Sequence, residues 1–288
     1  MTLRQKLAGK RFGLVLSAGY FGFFGHAGFL SGLAEAGLSP SAYAGSSAGG
    51  LVGGLAAAGM APARIIELLL DLKRADFWDP DPLGALQSIA LGRGHGGTGL
   101  LRGRHFQALL ERALPVASIE ACPTPVALAA TNLSRGEVAI FRSGALAPRI
   151  VASCAYPGMF RAIELEGELF WDGGLVDKAP LLALADWDGL KLDALLVHYL
   201  PSHGRASIGG LLAYAQGLDI GMTIARREHF KLQLEVAQAR GLPVYVVSSE
   251  LPKVSPRKLG EGASAVVAGR AAAARALAGE PLPFQANR

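Results

Sequence analysis

A serine in a short, glycine-flanked pentapeptide is the first group of this chain that could perform chemistry. Residues 45–49 read GSSAG, a G-x-S-x-G pattern between a short apolar run and a helical pattern. In a nucleophile elbow, a serine at the tight turn from a strand into a helix projects its hydroxyl from the edge of the sheet. Gly45 and Gly49 would let neighbouring elements approach closely, and the helix would bring its N-terminal amides beside Ser47. The pattern predicts a nucleophile, although serines that merely cap a helix also occur at such turns.

The loop that follows the first apolar run is a second candidate. Residues 17–22 read SAGYFG. Acyl transfer needs backbone N–H groups fixed where the oxyanion develops, and a glycine-containing loop at a strand end can supply them. A P-loop would require a Gly-Lys-Ser/Thr sequence and a dinucleotide site a G-x-G-x-x-G sequence, and this segment has neither. We therefore expect it to form part of an oxyanion hole.

An aspartate followed by two glycines completes the set of candidates. Asp172 follows an apolar run that ends at Trp171 and begins the sequence DGG. Asp-Gly is a strong turn signal by itself, but an aspartate at a strand end could also accept the serine proton directly, as in a two-residue dyad. A Ser-Asp-His triad is the alternative, because His198, His203 and His229 follow Asp172 in the chain. The elbow comes after only two strands, which favours the dyad.

The elements that must position these groups alternate between strands and helices. Apolar runs predict strands at residues 11–17, 41–44, 125–131, 138–142, 167–171, 195–200 and 244–248, and helical patterns occupy residues 25–36, 47–59, 62–73, 101–114 and 263–277. This alternation predicts an α/β fold with a parallel or mixed sheet covered on both faces. Residues 76–100 are rich in turn-forming residues and are predicted to be a loop or lid. We expect a single domain over residues 1–288.

Composition and charge exclude several classes of protein. Hydrophobic residues make up 51% of the chain and charged residues 18%, which favours a large buried core over disorder. The net charge of +5 suits an anionic membrane lipid, a nucleic acid or an acidic metabolite. The basic residues are scattered and form no nucleic-acid motif, so nucleic-acid binding is not expected. Cys122 and Cys154 have neither metal-ligand spacing nor a disulfide framework around them.

The N-terminal segment raises the question of secretion or membrane insertion. No charged residue lies between Arg11 and Glu35, and a basic start precedes this run, as in a signal peptide. The run contains six glycines and His26, which favour a strand, a loop and a helix over a lipid-facing span. We expect a cytoplasmic protein whose contact with a membrane, if any, is peripheral.

The three motifs, in this order and at these separations, resemble those of the patatin-like phospholipases. Further segments are similar to that family's internal sequences, namely TGLL at residues 98–101, ATNL at 130–133, ASCAYPGMF at 152–160 and DGGLV at 172–176. The resemblance covers roughly residues 11–200. It implies a three-layer α/β/α sandwich with a mostly parallel central sheet, and a Ser–Asp dyad that uses neither metal nor cofactor. It also implies hydrolysis of acyl esters in phospholipids or related lipids.

The resemblance also assigns roles by position. Ser47 would attack the acyl carbonyl and Asp172 would take its proton. The backbone amides of the loop and of the residue after the nucleophile, at Ala18, Gly19, Tyr20 and Ala48, would hold the oxyanion. The family usually has three glycines, a variable residue, Arg or Lys, and a further glycine in this loop, whereas residues 18–23 of this chain read AGYFGF. The basic residue and two of the glycines are replaced.

This departure leaves several functions open. The leading interpretation is a serine hydrolase that cleaves acyl esters of lipids. A catalytically weak or inactive lipid-binding or regulatory protein on the same fold is the second, because removing one oxyanion donor typically costs about 10²–10³ in rate. A small-ester hydrolase with a Ser-Asp-His triad is the third. Phe21, Phe23 and Phe24 would either line an acyl groove or pack the first helix against the sheet.

Overall fold

The structure of the protein, a computed structural model, describes residues 1–91, 94, 96–202, 213–252, 254–255 and 258–279. Its strands are β1 Phe12–Leu16, β2 Ala42–Ser46, β3 Gly99–Leu101, β4 Val126–Asn132, β5 Glu137–Phe141, β6 Gly158–Phe160, β7 Ile163–Leu165, β8 Glu168–Asp172, β9 Ala194–Tyr199 and β10 Val244–Ser248. Its α-helices are α1 Leu3–Leu7, α2 Phe23–Glu35, α3 Ala48–Ala57, α4 Pro62–Leu70, α5 Pro82–Leu91, α6 Arg104–Ala113, α7 Leu146–Ser153, α8 Leu182–Ala185, α9 Ala213–Ala239 and α10 Gly262–Ala278.

Eight of these strands form one mixed sheet. The order along the main path is β10-β9-β1-β2-β4-β8-β7, and β5 pairs with β4 away from this path. Strands β10, β9, β1, β2 and β4 are parallel, while β5, β8 and β7 pair antiparallel with their neighbours. Strands β3 and β6 form a separate two-stranded sheet.

The central strands are buried and mostly apolar, since helices cover both faces of the sheet. Every residue of β1 is buried. Leu14 and Leu16 pack into the larger core cluster, which also contains residues of α2, α3 and α10, whereas Val15 points to the opposite face and packs into the cluster that contains Phe230 of α9. Parallel strands buried on both faces have this continuous hydrophobic character. The result is the α/β/α sandwich expected from the sequence.

Helices α2 and α10 pack with their backbones in direct contact. A methyl group on Gly28 of α2 would overlap the backbone carbonyl of Val266 in α10, and one on Gly269 of α10 would overlap the carbonyl of Gly25 in α2. The missing side chains let the two backbones touch, so this contact depends on glycine at both positions. Among the described residues, no helix combines the length and the apolar character needed to cross a bilayer.

Five helices lie where no helix bounds were predicted, namely α1, α5, α7, α8 and α9. Residues 82–91, within the segment predicted to be a loop or lid, form α5. The 27-residue helix α9 spans a stretch that contains Gly217 and Gly221 and shows little amphipathic periodicity. The prediction of a loop was wrong for residues 82–91, whereas no bounds had been predicted for α9. Phe230 of α9 packs against Tyr199 of β9, which holds this helix on the sheet.

Candidate active site

The register of β4 brings the predicted nucleophile and the predicted base together. The last residue of β2, Ser46, lies opposite Ala129 of β4, and the last residue of β8, Asp172, lies opposite the next residue, Ala130. Strand β5 occupies the other edge of β4 over the same residues, so β2 and β8 must share one edge. They approach along it from opposite directions and meet end to end. Ser47, which follows β2, therefore faces the end of β8.

Ser47 has the strained backbone of a nucleophile elbow. Its φ is 54° and its ψ is −121°, a conformation that non-glycine residues rarely adopt. The turn is tight enough that a methyl group on Gly45 would overlap the backbone of Gly49, and one on Gly49 would overlap the carbonyl of Leu16. The two glycines of the pentapeptide thus lie where close backbone contact requires them. The amide of Ser47 donates to Oγ of Ser153 at 3.0 Å, which pins the turn to α7.

The side chains of Ser47 and Asp172 are hydrogen-bonded. The Ser47 hydroxyl donates to Oδ2 of Asp172 at 2.6 Å, and the amide of Gly174 donates to Oδ1 at 2.7 Å. The carboxylate is buried, and this burial raises the pKa of Asp172 to about 6; the two hydrogen bonds and the charge of Arg226 oppose the rise. A carboxylate whose pKa is close to neutrality can both take and return a proton near pH 7.

The loop after β1 differs from the expected oxyanion hole at its first residue. We expected the amide of Ala18 to face the substrate, but it donates to the carbonyl of Lys178 at 2.6 Å and is not available. This prediction is corrected because the segment after Asp172 packs against the loop. Within the described part of the chain, the amides of Gly19, Tyr20 and Ala48 have no hydrogen-bond acceptor. Three of the four predicted donors thus remain free.

The aromatic residues of this loop take different positions. Tyr20 is exposed, and the positive φ of the loop, 51°, falls on Phe21 rather than on Tyr20. Phe21 and Phe23 line the cavity in front of Ser47, whereas Phe24 is fully buried in the core. Phe21 and Phe23 are thus placed as expected for a groove lining, and Phe24 as expected for a residue that packs the first helix against the sheet.

The described histidines do not complete a triad. His198 lies in β9, where its Nδ1 contacts Nδ1 of His26 at 2.8 Å and its Nε2 contacts the hydroxyl of Ser249 at 2.9 Å. Burial lowers the pKa of both rings, so both are neutral. The ring of His229 contacts the carbonyl of Val176. Neither His198 nor His229 hydrogen-bonds to the serine or to the aspartate, and His203 lies outside the described residues.

His26 anchors the base of the oxyanion loop. Its Nε2 lies 2.8 Å from the carbonyl oxygen of Ser17, which can only accept, so this nitrogen carries the proton. In a neutral ring Nδ1 is then the acceptor, and His198 must donate to it from its own Nδ1. The hydroxyl of Ser249 in turn donates to Nε2 of His198. This chain of hydrogen bonds holds Ser17, the residue before the loop.

An apolar cavity of about 670 Å³ opens in front of Ser47 and Asp172. Its apolar wall comes from α3, α4, α6, β6 and the segments between them and includes Leu51, Leu69, Leu72, Phe106, Leu109 and Phe160. Most ligand cavities are lined in this way, with a few polar groups that orient the ligand. The cavity thus places a mostly apolar surface beside the hydroxyl of Ser47 and the carboxylate of Asp172.

Three residues of the site were not found from the sequence. Ser153 holds the elbow, and Lys178 and Arg226 line the cavity close to the dyad. Arg226 lies on α9, which the sequence did not predict. Lys178 follows the DGG sequence by four residues, and its position near the candidate dyad was the only signal in the sequence. Across the described ranges, no cluster of three or more His, Cys, Asp or Glu residues could hold a metal ion.

The comparison with known proteins identifies the family. A family model described as patatin-like phospholipase matches residues 14–185. The chain belongs to the patatin-like phospholipase family. The resemblance inferred from the motifs of this patatin-like chain is thereby confirmed.

The relatives and a solved structure extend this comparison. The patatin-like chain is 26% identical over 296 residues to an uncharacterized NTE family protein of Mycobacterium tuberculosis, and the match covers 97% of this chain and 48% of that protein. The chain thus spans about half the length of that relative. A second uncharacterized NTE family protein of the same organism is 33% identical over 87 residues, or 30% of this chain and 24% of that protein. The crystal structure of VipD from Legionella pneumophila superimposes with a TM-score of 0.51 at 15% identity and covers 93% of this chain and 67% of VipD, which confirms the fold.

Proposed function

We propose that this protein is a serine hydrolase that cleaves acyl ester bonds of phospholipids or related lipids through a dyad of Ser47 and Asp172. The observation that carries the proposal is the 2.6 Å hydrogen bond from the Ser47 hydroxyl to a buried carboxylate at the head of an apolar cavity. Membership of the patatin-like phospholipase family supports the reaction class. Every group that the steps require is a side chain or a main-chain amide of this chain.

The first half of the reaction forms an acyl-enzyme. Asp172 takes the proton of the Ser47 hydroxyl as Oγ attacks the acyl carbonyl, and the carbonyl oxygen becomes an oxyanion. The amides of Gly19, Tyr20 and Ala48 stabilise this charge, helped by the N-terminus of α3. The intermediate collapses, the bond to the alcohol breaks, and Asp172 returns the proton to the leaving alkoxide.

The second half repeats these steps with water. Asp172 takes a proton from water as the water oxygen attacks the acyl carbon of the ester on Ser47. The same amides hold the second oxyanion. When it collapses, the bond to Oγ breaks, the proton passes from Asp172 to Oγ, and the fatty acid leaves. The apolar cavity holds the acyl chain throughout, which supplies binding energy for positioning.

A fluorophosphonate probe tests the nucleophile. We expect the probe to label the wild-type protein on Ser47, with labelling lost in Ser47→Ala and retained in Ser46→Ala. Ser46 is a matched control because it is the adjacent serine and its hydroxyl is fully buried. Hydrolysis of p-nitrophenyl esters and of intact phospholipids should follow the same pattern. A folded wild-type protein that takes no label and hydrolyses no ester would instead support the lipid-binding function.

We further propose peripheral contact with lipid surfaces through α5. Leu83, Leu86 and Leu91 of this helix are each more than 60% exposed, and interfacial helices bury such side chains at the boundary of headgroups and acyl chains. Sedimentation with anionic vesicles should decrease when Leu83 is replaced by Asp. The matched control is Leu232→Asp, which changes an exposed leucine of α9. Equal binding by the two variants would contradict a role of α5.

We also propose that residues 1–288 form one domain, because β1 and β10 belong to the same sheet. A single cooperative unfolding transition, seen at the same denaturant concentration by fluorescence and by circular dichroism, would agree with it.

A further inference from the structure

Two cationic side chains lie in the same cavity as the dyad. Lys178 lies in the segment after β8, and Arg226 projects from α9; both line the cavity together with Ser47 and Asp172. Each residue also forms a hydrogen bond with a backbone group next to the proposed reacting groups. The carbonyl of Lys178 holds the amide of Ala18 at 2.6 Å, and the guanidinium of Arg226 donates to the carbonyl of Gly174 at 3.0 Å.

Lys178 is a buried ammonium group without an acidic partner. Its side chain donates to the hydroxyl of Ser202 at 2.9 Å and lies 4.7 Å from the centre of the Tyr199 ring, but among the described residues it forms no ion pair. The residue is only 4% exposed. Burial, together with the positive charge of Arg226, lowers the pKa of Lys178 to about 7. A buried amine without an anionic partner tends toward its neutral form, and an anion bound beside it would favour the charged form.

Arg226 has unused hydrogen-bond donors in the same cavity. Its Nη1 donates to the carbonyl of Gly174 and its Nη2 to the hydroxyl of Thr223 at 2.6 Å, while its buried Nε has no partner. Asp219, its nearest carboxylate, is half-exposed and 4.0 Å away. A guanidinium presents five N–H donors, and it binds phosphate and carboxylate oxygens well. The pair therefore presents one permanent cation, whose charge reaches the carboxylates of Asp219 and Asp172, and one amine that a bound anion would keep protonated.

We infer that Lys178 and Arg226 form a subsite for the phosphate of a glycerophospholipid substrate. The inference rests on the proposed hydrolase function, since it specifies which acyl esters the site prefers. In such a lipid the phosphate is separated from the ester carbonyls only by the short glycerol backbone. The acyl chain would fill the apolar wall, the ester would lie at Ser47, and the phosphate would reach the two cations. An uncharged glyceride would leave the ammonium of Lys178 without a counter-ion.

The catalytic test compares two substrates with the same acyl chains, a phosphatidylglycerol and a diacylglycerol, in neutral detergent micelles. Lys178→Met removes the charge and keeps an unbranched side chain only one atom shorter. In this variant the ratio of kcat/KM for the phospholipid to that for the diacylglycerol should fall about ten- to a hundredfold, the range for a hydrogen bond to a charged group. The control Lys231→Met removes a half-exposed lysine of α9 and should keep the wild-type ratio. A folded Lys178→Met protein with an unchanged ratio overturns the subsite.

A binding test separates this inference from the hydrolase proposal. The protein is Ser47→Ala, and the probes are a lysophospholipid with an ether-linked chain and the matching alkylglycerol, titrated by calorimetry. We expect tighter binding of the phosphate-bearing probe, and loss of that preference when Lys178→Met is added. A preference that persists in the double variant overturns the subsite.

Three further outcomes are distinguishable. If the wild-type protein hydrolyses no ester but the preference for the phosphate-bearing probe depends on Lys178, the subsite stands and the hydrolase proposal fails. If esters are hydrolysed without any preference for phosphate, the subsite fails and the hydrolase stands. If inorganic phosphate binds in a Lys178-dependent manner while the ether phospholipid does not, the site takes free phosphate and the lipid assignment is overturned.

Discussion

Replacing Asp172 by Asn should strongly lower the rate of turnover and, at the same time, stabilise the folded protein relative to the wild type at alkaline pH. Asn can keep both hydrogen bonds, since its oxygen can accept from the amide of Gly174 and its amide can donate to the oxygen of Ser47. It cannot accept the serine proton. Loss of a general base typically lowers the rate by about 10²–10⁴.

The effect on stability follows from the pKa of the buried carboxyl. Burial raises the pKa of Asp172 from 3.8 to about 6, and each pKa unit corresponds to about 1.4 kcal/mol, so keeping the ionised form in the fold costs about 3 kcal/mol. Between the unfolded and the folded pKa, the folded protein holds a proton that the unfolded chain has released. The free energy of unfolding of the wild-type protein therefore falls, by about 3 kcal/mol in all, as the pH rises from about 4 to about 6. The amide introduced by Asp172→Asn does not titrate, so the variant shows no such loss.

Urea unfolding of both proteins measures the difference. Between about pH 5 and about pH 8, the free energy of unfolding of Asp172→Asn relative to the wild type should rise by about 1.4 kcal/mol. This is the contribution of about one pKa unit, from pH 5 to the folded pKa of about 6. Asp188→Asn, a change of a surface aspartate in the loop after α8, is the control and should show no such rise. Equal relative stability of Asp172→Asn at the two pH values would refute the argument from burial.

The remaining predictions concern the same site and its support. The rate of ester hydrolysis should rise with pH and reach half its maximum near pH 6, as Asp172 loses its proton and becomes a competent base; a rate that is flat from acid to neutral pH would contradict this. Ser47→Gly should be about 1–2 kcal/mol more stable than Ser47→Ala in thermal or urea unfolding, because both lack the hydroxyl but only glycine accepts φ of 54° without strain. Leu109→Trp should shift the preferred p-nitrophenyl ester to a shorter acyl chain, because it narrows the apolar wall of the cavity; an unchanged preference would mean that the chain lies elsewhere. Gly269→Ala should lower the free energy of unfolding by about 1–3 kcal/mol, since its methyl group overlaps α2, whereas Gly260→Ala, which meets no neighbour, should not.

The parts of the site that could be predicted from the sequence are those encoded locally. The elbow needs only a strand, a glycine-flanked serine and a helix in succession, and residues 42–57 contain all of these. Seven of the ten strands were predicted to within two residues, because each contains an apolar run of strand length. The three-residue strands β3, β6 and β7 were not predicted, because they are too short to give such a run. The family resemblance then linked Ser47 to Asp172 across 125 residues, a pairing that no local pattern contains.

The parts that were missed or wrong depend on contacts between distant segments. The amide of Ala18 is occupied because the carbonyl of Lys178, 160 positions further along the chain, lies against it. The meeting of β2 and β8 on one edge of β4 depends on the strand register, which a single sequence does not specify. Arg226 was not predicted because α9 shows little amphipathic periodicity, so nothing in the sequence indicated which of its residues face the site.

The pairing of β9 with β1 limits how far the C-terminal part of this protein can be shortened. The family model ends at residue 185, yet β9 hydrogen-bonds along the whole length of β1, the strand that leads into the oxyanion loop. A fragment cut at that boundary would expose Phe12–Leu16 as an apolar strand with one bare edge, which is a template for aggregation. It would also lose His198 and, with it, the donor that orients His26. Expression of the matched region alone should therefore give insoluble material, and shortened versions should keep at least the segment through β10.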